Sequence, residues 1–160
     1  MEIIFTDGSA KNNGSKTATG GIGVYFPNRL EWNYSEQVTY NTFKTKVTNN
    51  LTELYAINKA ISIATSHDIS TFTIYTDSQY CYNSFTKWAK TWEKNNWKKK
   101  DGKPILNQEF VKDIYDATKK YKITFCHCNS HRNEPSCKES EEYKIWYGNM
   151  MADHLANVTI

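Results

Sequence analysis

The stretch that decides the fold is EIIFTD, residues 2–7. Its first five residues form a short apolar run, which predicts a buried strand that ends at Asp7. The stretch FTIYTD, residues 72–77, repeats this pattern and places Asp77 after a second strand. Open α/β sheets carry their functional groups at the carboxyl ends of strands. Asp7 and Asp77 are therefore expected at equivalent strand ends.

Outward from these two segments, hydrophobic periodicity predicts the remaining elements. Residues 7–21 hold four glycines and the pair Asn12-Asn13, which predicts a turn-rich loop. The predicted strands are 2–6, 22–26, 30–38, 72–75 and 123–128, and the predicted helices begin near residue 48 or 50, at 78, near 110 and at 149. The first three strands favour an antiparallel meander. The order β-β-β-α-β-α-α-β-α predicts one α/β domain over residues 1–160, with helices packed on a mixed sheet.

Composition narrows the class of protein further. The 160 residues are 39% hydrophobic and 14% aromatic, which fits one compact domain and argues against a disordered chain. No apolar run approaches the roughly 18 residues of a transmembrane helix. Residues 1–7 lack the basic and apolar regions of a secretory signal. We expect an intracellular protein of the cytoplasm, nucleus or nucleoid, without a membrane partner.

The cysteines raise the question of a zinc site. Cys126, Cys128, His131 and Cys137 supply zinc-type ligands within twelve residues. The paired C-x2-C spacing that is typical of zinc sites is missing from this segment. Reduced thiols packed as small apolar groups are therefore the preferred interpretation, and zinc binding stays open.

Two further acids resemble Asp7 and Asp77 in lying near the ends of predicted elements. Glu53 lies in the first turn of the first helix and Asp153 lies in the last helix. Each acid alone is typical of a helix cap or a solvated charge. Four carboxylates packed together would raise one another's pKa values unless a cation neutralises them. Such a site suits Mg²⁺ or Mn²⁺.

Four segments, taken in this order along the chain, resemble type 1 ribonuclease H. They are FTDGSA at residues 5–10, TNNLTEL at 48–54, YTDSQY at 75–80 and GNMMAD at 148–153. The match extends over nearly the whole chain, and four motifs in register are a specific signal. The resemblance implies a ribonuclease H-like fold with a five-stranded mixed sheet. It also implies an endonuclease that hydrolyses the RNA strand of RNA–DNA hybrids and leaves 5′-phosphate and 3′-hydroxyl ends.

The resemblance assigns roles to the acids. It implies that Asp7, Glu53, Asp77 and Asp153 are catalytic and hold two Mg²⁺ ions, for which Mn²⁺ can substitute. Asp7 would bridge both ions, Asp153 would complete the nucleophile-side site, and Glu53 with Asp77 would hold the other. It further implies that His131 assists catalysis or product release.

The spacing after His131 departs from the family's short form. Twenty-two positions separate His131 from Asp153, and residues 134–147 are predicted as an inserted loop. The acids of this loop, Glu139, Glu141 and Glu142, would gate access to the metals or merely solvate a longer loop. The final helix, 149–158, is predicted to be short.

A basic segment is the second informative stretch. Residues 86–104 hold seven lysines and two acids, with Trp88, Trp92 and Trp97 interleaved. Lysine neutralises phosphate and tryptophan packs on sugar or base, so the segment predicts nucleic-acid binding. Core packing is the alternative for one of the three tryptophans. The segment resembles the family's basic protrusion, which implies hybrid binding without a separate hybrid-binding domain, and Lys98, Lys99 and Lys100 are its candidate phosphate contacts.

Polar side chains are the candidates for reading the hybrid, because the 2′-hydroxyl and the groove shape distinguish it from DNA duplex. By resemblance, Asn13, Asn49, Asn50 and Gln79 occupy positions that touch the minor groove. Thr48 and Asn107 match contacts to a phosphate of the DNA strand. For Asn13 a turn-forming role is a serious alternative, because its loop is longer than the common form.

Other functions remain as alternatives at this point. Integrases, transposases and junction-resolving nucleases share the fold, but their resemblance covers only the carboxylates. A catalytically dead module that binds hybrid or double strands would not need all four acids. A third alternative is a processing domain cut from, or working beside, a reverse transcriptase. We expect a monomeric, free-standing enzyme that binds RNA–DNA hybrid, with association with a polymerase or the replication machinery left open.

Overall fold

The computed structural model describes residues 2–13, 15, 17–130 and 132–158. Its five strands form one sheet in the order β3-β2-β1-β4-β5, with β1 in the centre. The strands are β1 Glu2–Lys11, β2 Thr19–Tyr25, β3 Tyr34–Val38, β4 Thr71–Thr76 and β5 Lys122–His127. Strands β1, β2 and β3 pair antiparallel, whereas β4 and β5 run parallel to β1. The predicted five-stranded mixed sheet is confirmed.

Strand β1 is longer than the sequence predicts, and Asp7 lies inside it rather than at its end. Its antiparallel pairing with β2 continues from Phe5 to Lys11. Its parallel pairing with β4 ends at Thr6, opposite Thr76. The expected loop over 7–21 is therefore wrong for its first and last parts, because residues 7–11 of β1 pair with the glycine-rich residues 19–23 of β2. Asp7 and Asp77 both follow the last parallel pair, so the equivalence of their positions holds.

The helices follow the predicted order, with one addition before the first long helix. They are α1 Tyr40–Phe43, α2 Asn49–Ser66, α3 Gln79–Asn83, α4 Ala89–Lys94, α5 Gln108–Lys120 and α6 Glu141–Asn157. A π-helical stretch, Ser84–Trp88, joins α3 to α4, and Leu30–Trp32 forms a 3₁₀ turn. None of the helices in the described part of the chain combines the length and the hydropathy that a membrane span requires.

Helices cover both faces of the sheet. Ile4 and Val24 pack with Leu54 and Ile57 of α2 in the larger core cluster. On the other face, Phe5 packs in a smaller cluster with residues of α6. Because successive residues of β1 point to opposite faces, the strand contributes to both clusters and fixes α2 and α6 across the sheet from each other.

Helix α6 corrects the prediction of a loop for residues 141–147 and of a short final helix. Residues 134–140 form neither helix nor strand, and the insertion itself stays a prediction. Helix α6 begins at Glu141, where the Ser140 side chain accepts a hydrogen bond from the Tyr143 amide (3.1 Å). Acidic side chains in the first turn, which the sequence interpretation assigned to a loop, suit the positive end of a helix dipole. Gly148 resembles a helix boundary in the sequence but lies inside α6, where a Cβ atom would come within 2.2 Å of the Phe5 ring.

Candidate active site

Three acids from different elements meet at one end of the sheet. One carboxylate oxygen each from Asp7, Glu53 and Asp77 lies within 4.8 Å of the other two. Asp7 lies in β1, Glu53 in the first turns of α2, and Asp77 directly after β4. Asp7 is 5% exposed and Glu53 is 9% exposed. The sequence-predicted cluster is therefore assembled from residues up to 70 positions apart.

Gly8 brings α2 against β1 and so places Glu53 beside Asp7. The Gly8 amide donates to Asp7 Oδ1 (2.9 Å) and to Glu53 Oε1 (2.6 Å). A Cβ atom at Gly8 would come within 2.5 Å of the Thr52 carbonyl carbon. Only a residue without a side chain allows this approach, and the same contact fixes both carboxylates.

The electrostatics of these acids favour a bound cation. Burial raises the pKa of Asp7 well above its ordinary value, and the negative charge of Asp77 adds to the effect. Burial likewise raises the pKa of Glu53, with further contributions from the charges of Asp7 and Asp77. Closely packed carboxylates stay ionised when a cation compensates them, and an all-oxygen donor set is the preference of Mg²⁺ and Mn²⁺. These residues fit a divalent-metal site.

Asp153 joins the same cleft from α6. It is exposed, and its charge and a side-chain hydrogen bond contribute to the raised pKa of Asp7. Asn157 holds it by donating to Asp153 Oδ1 (3.3 Å) and to the Asp153 carbonyl (2.8 Å). The cleft, about 460 Å³ in volume, is lined by all four predicted acids. Asp153 is the exposed acid of the cleft and lies outside the close group of Asp7, Glu53 and Asp77.

The chain matches the RNase H family model over residues 1–160. The chain belongs to the ribonuclease H family. It is 38% identical over 151 residues to a probable ribonuclease H of Acanthamoeba polyphaga mimivirus, covering 92% of this chain and 61% of that relative. It is 35% identical over 139 residues to the ribonuclease H of Haemophilus influenzae, covering 85% and 84%. The chain thus spans about three fifths of the viral relative's length.

A solved structure supports the same fold for this ribonuclease H family member. A foamy viral protease-reverse transcriptase in complex with RNA/DNA hybrid superposes with a TM-score of 0.69 at 21% identity. That match covers 99% of this chain and 20% of the viral one. At this identity the likeness shows the fold alone, and it agrees with the resemblance to type 1 ribonuclease H that the motifs indicate.

The cleft also contains residues that the sequence interpretation missed as site residues. Asn129, Ser130, Arg132, Trp146, Asn149 and Met150 line it together with the four acids. Asn149 and Met150 belong to the GNMMAD motif, so the signal for them was present. Trp146 was assigned to a loop, which hid its position on the helix of Asp153. His131 lies outside the described residues.

Two predicted groove contacts, Asn13 and Asn49, and the predicted phosphate contact Thr48 form hydrogen bonds at the start of α2. Asn13 Oδ1 accepts from the Asn49 amide (2.8 Å), and Asn49 Oδ1 accepts from the Ala10 amide (3.0 Å). Thr48 caps α2 by accepting from the Leu51 amide (3.2 Å). These bonds hold the asparagines about one turn from Glu53, and Asn13 has a structural bond whatever its contact with substrate.

The remaining polar candidates, Asn50, Gln79 and Asn107, are not among the residues that line the cleft. Gln79 is exposed at the start of α3, and its Nε2 donates to Asn83 Oδ1 (3.0 Å). Asn107 precedes α5 in a left-handed conformation (φ 57°), with its Nδ2 3.5 Å from the Tyr80 hydroxyl. Asn50 is exposed in the first turn of α2.

The three tryptophans of the basic protrusion differ in how far their side chains are exposed. Trp88 is 39% exposed and Trp92 is half-buried, with their ring centres 5.7 Å apart. Trp97 is 6% exposed and packs edge-on against Tyr115 at 5.8 Å. The prediction that Trp97 contacts substrate is therefore wrong, because its ring belongs to the core that holds the protrusion in place.

The protrusion ends in a hairpin that displays its lysines. Lys98 forms a bridge with Pro104, and the Lys99 amide donates to the Lys103 carbonyl (2.7 Å). Gly102, at φ 82°, makes the turn. Lys98, Lys99 and Lys100 are all exposed on this hairpin, as a phosphate-binding role requires.

The cysteines form no metal-ligating cluster within the part of the chain that the structure describes. Cys128 is buried, and burial raises the pKa of its thiol to about 12. Cys137 is exposed and Cys126 is half-buried. The burial of Cys128 suits the interpretation of a thiol packed as a small apolar group.

Proposed function

We propose that this protein hydrolyses the RNA strand of RNA–DNA hybrids by a two-metal mechanism that leaves 5′-phosphate and 3′-hydroxyl ends. The observation that carries the proposal is the meeting of Asp7, Glu53 and Asp77, within 4.8 Å of one another, in a cleft that Asp153 also lines. Membership of the ribonuclease H family supports this substrate and reaction.

The four acids would hold two Mg²⁺ ions, or Mn²⁺ in their place. Bound there, the metals supply an activated water and stabilise charge on the leaving 3′-oxygen. Asp7, the most central acid, would contact both ions, Asp153 would complete the nucleophile side, and Glu53 with Asp77 would hold the other side. The Gly8 amide keeps Asp7 and Glu53 in fixed positions by donating to both carboxylates. We propose His131 as an assistant in catalysis or product release.

Recognition of the hybrid would use two groups of residues besides these acids. Asn13, Asn49, Asn50 and Gln79 offer donors and acceptors for the minor groove and the 2′-hydroxyls. Thr48 and Asn107 would hold a phosphate of the DNA strand. The protrusion would add the lysines of its hairpin, with Trp88 and Trp92 packing on sugar or base.

We propose further that the protein acts as a monomer inside the cell. Its four cysteines are all unpaired, as is usual in reducing compartments. Association with a polymerase is a second proposal, supported by the fold neighbour that is part of a reverse transcriptase chain.

One assay tests the proposed activity against its alternatives. The protein is incubated with Mg²⁺ and, separately, with labelled RNA–DNA hybrid, RNA duplex and DNA duplex, and each reaction is repeated in EDTA. We expect cleavage of the RNA in the hybrid alone, and none in EDTA. Cleavage of DNA duplex would favour an integrase- or resolvase-like enzyme. Tight hybrid binding without cleavage would favour an inactive binding module.

A further inference from the structure

Helix α6 carries one continuous row of side chains along the cleft. Asp153, Asn149 and Trp146 recur at spacings of three and four, which place them on one face of a helix, and all three line the cleft. Glu142 extends the same row by another turn. The first two turns of α6, predicted as a loop, therefore lengthen the wall of the cleft beyond the carboxylates.

Trp146 anchors the segment that faces this wall. Its indole Nε1 donates to the carbonyl oxygen of Arg132 at 3.2 Å, and its ring packs against Tyr143 at 5.5 Å. The hydrogen bond fixes the backbone of Arg132 against α6. The Arg132 side chain therefore extends from a fixed backbone position at the cleft.

Arg132 is the one cationic side chain among the described residues that line this cleft. The chain has eighteen lysines and only two arginines, Arg29 and Arg132. A guanidinium offers a planar pair of donors that matches two phosphate oxygens, which an ammonium group does not. This single cation beside four carboxylates is positioned to bind the phosphate backbone of a nucleic acid.

The present partner of Arg132 is weak enough to be exchanged. Arg132 Nη2 lies 3.7 Å from Glu142 Oε2, and the two side chains are 39% and 74% exposed. An exposed ion pair with a single long contact contributes little to stability. A phosphate that offers two oxygens would replace Glu142 at small cost.

We propose that Arg132 binds a backbone phosphate of the strand that is cut, and that Trp146 positions it. Seven residues of helix place Trp146 about 10 Å along the axis from Asp153. The phosphate in question is therefore a neighbour of the scissile one, and Arg132 acts in binding rather than in the chemical step. The proposal rests on the proposed hybrid cleavage.

The test compares Arg132→Gln with Arg29→Gln, which removes the same charge from the arginine that pairs with Glu2. KM and kcat for hybrid cleavage are measured at fixed Mg²⁺ over a series of KCl concentrations. We expect Arg132→Gln to raise KM roughly tenfold with kcat nearly unchanged, and to reduce the salt slope by about one unit. Arg29→Gln should match the wild type.

Two further variants separate phosphate binding from a structural role. Trp146→Phe keeps an aromatic ring but removes the N–H donor. Alone, it should raise KM. Combined with Arg132→Gln, it should not raise KM beyond the value of the Arg132→Gln variant. Glu142→Gln breaks the ion pair and should leave KM at or below the wild-type value. If Glu142→Gln raises KM as Arg132→Gln does, the pair is structural and the proposal is wrong.

The outcomes also separate this proposal from the proposed function. A wild-type protein that does not cut hybrid contradicts the proposed function itself. A wild type that cuts, with an Arg132→Gln variant of unchanged KM and unchanged salt slope, contradicts the role of Arg132 alone.

Discussion

At the scale of single residues, Asp7 and Glu53 link metal binding to stability. Burial raises the pKa of both carboxyls, whereas in the unfolded chain both ionise near pH 4. Above that pH the folded, metal-free protein therefore holds more protons than the unfolded chain. Its stability falls as the pH rises from about 4 through the raised folded-state pKa values.

This linkage predicts the behaviour of Asp7→Asn. In EDTA its Tm should exceed the wild-type Tm by an amount that grows as the pH rises above about 4, because one buried charge is gone. Mg²⁺ should raise the Tm of the wild type and have little effect on the variant. Thermal melts between pH 5 and 8 measure both effects. Asp113→Asn, an exposed acid of α5, is the control, and equal Tm values for Asp7→Asn and wild type in EDTA at pH 8 would contradict the account.

Gly8 gives a second prediction at this scale. Gly8→Ala places a methyl group 2.5 Å from the Thr52 carbonyl carbon, which is backbone and has to move. We expect a loss of about 1–3 kcal/mol in the free energy of unfolding. We also expect roughly a 100-fold loss in kcat, because Glu53 moves away from Asp7. Chemical denaturation and a cleavage assay measure the two, and Lys11→Ala, an exposed residue of the same strand, should affect neither strongly.

At the scale of elements, the protrusion combines a structural tryptophan with an exposed one. Trp97→Ala should cost about 3–5 kcal/mol of stability, because its ring is buried against Tyr115. Trp88→Ala should lower the Tm less than Trp97→Ala does and should weaken hybrid binding, since 39% of Trp88 is exposed. Thermal melts and fluorescence anisotropy with labelled hybrid distinguish the two. A stable Trp97→Ala protein with weakened binding would restore Trp97 as a substrate contact.

Element boundaries were harder to predict than element order. The apolar runs that mark β1 and β4 are local, so the sequence predicted both strands and the acids that follow their parallel pairing. The extension of β1 past Asp7 depends on pairing with β2. In β2, glycines interrupt the alternation of apolar and polar residues that identifies a strand. The early start of α6 was hidden by its acids and by Gly148, although Ser140 offered a capping signal.

The site shows the same division between local and long-range information. All four acids could be found from strand-end and helix positions together with the family resemblance. Trp146 and Arg132 could not, because their meeting depends on a hydrogen bond across 14 positions of sequence. Trp97 was misassigned as a nucleic-acid contact because its segment contains both exposed lysines and a buried tryptophan.

At the scale of the whole molecule, charge is divided between a lysine-rich hairpin and an acidic cleft. Lys98, Lys99 and Lys100 changed together to alanine should reduce the salt slope of hybrid binding by about 2–3 units, at 0.7–0.9 per phosphate contact. The control is the triple change of Lys112, Lys120 and Lys122, which are also exposed but lie on α5 and β5. Equal slopes for the two triple variants would show that the hairpin makes no specific phosphate contacts.

The central claim is that the carboxylates around Asp7 hold the metals that cut the RNA strand of a hybrid. Single-turnover cleavage of a hybrid with labelled RNA, in saturating Mg²⁺, tests it most directly when wild type is compared with Asp7→Asn. We predict that the wild type releases RNA fragments with 3′-hydroxyl ends. Asp7→Asn should cut at least roughly 1,000-fold more slowly while circular dichroism shows an unchanged fold. A folded Asp7→Asn protein that cuts the hybrid at the wild-type rate would contradict the account.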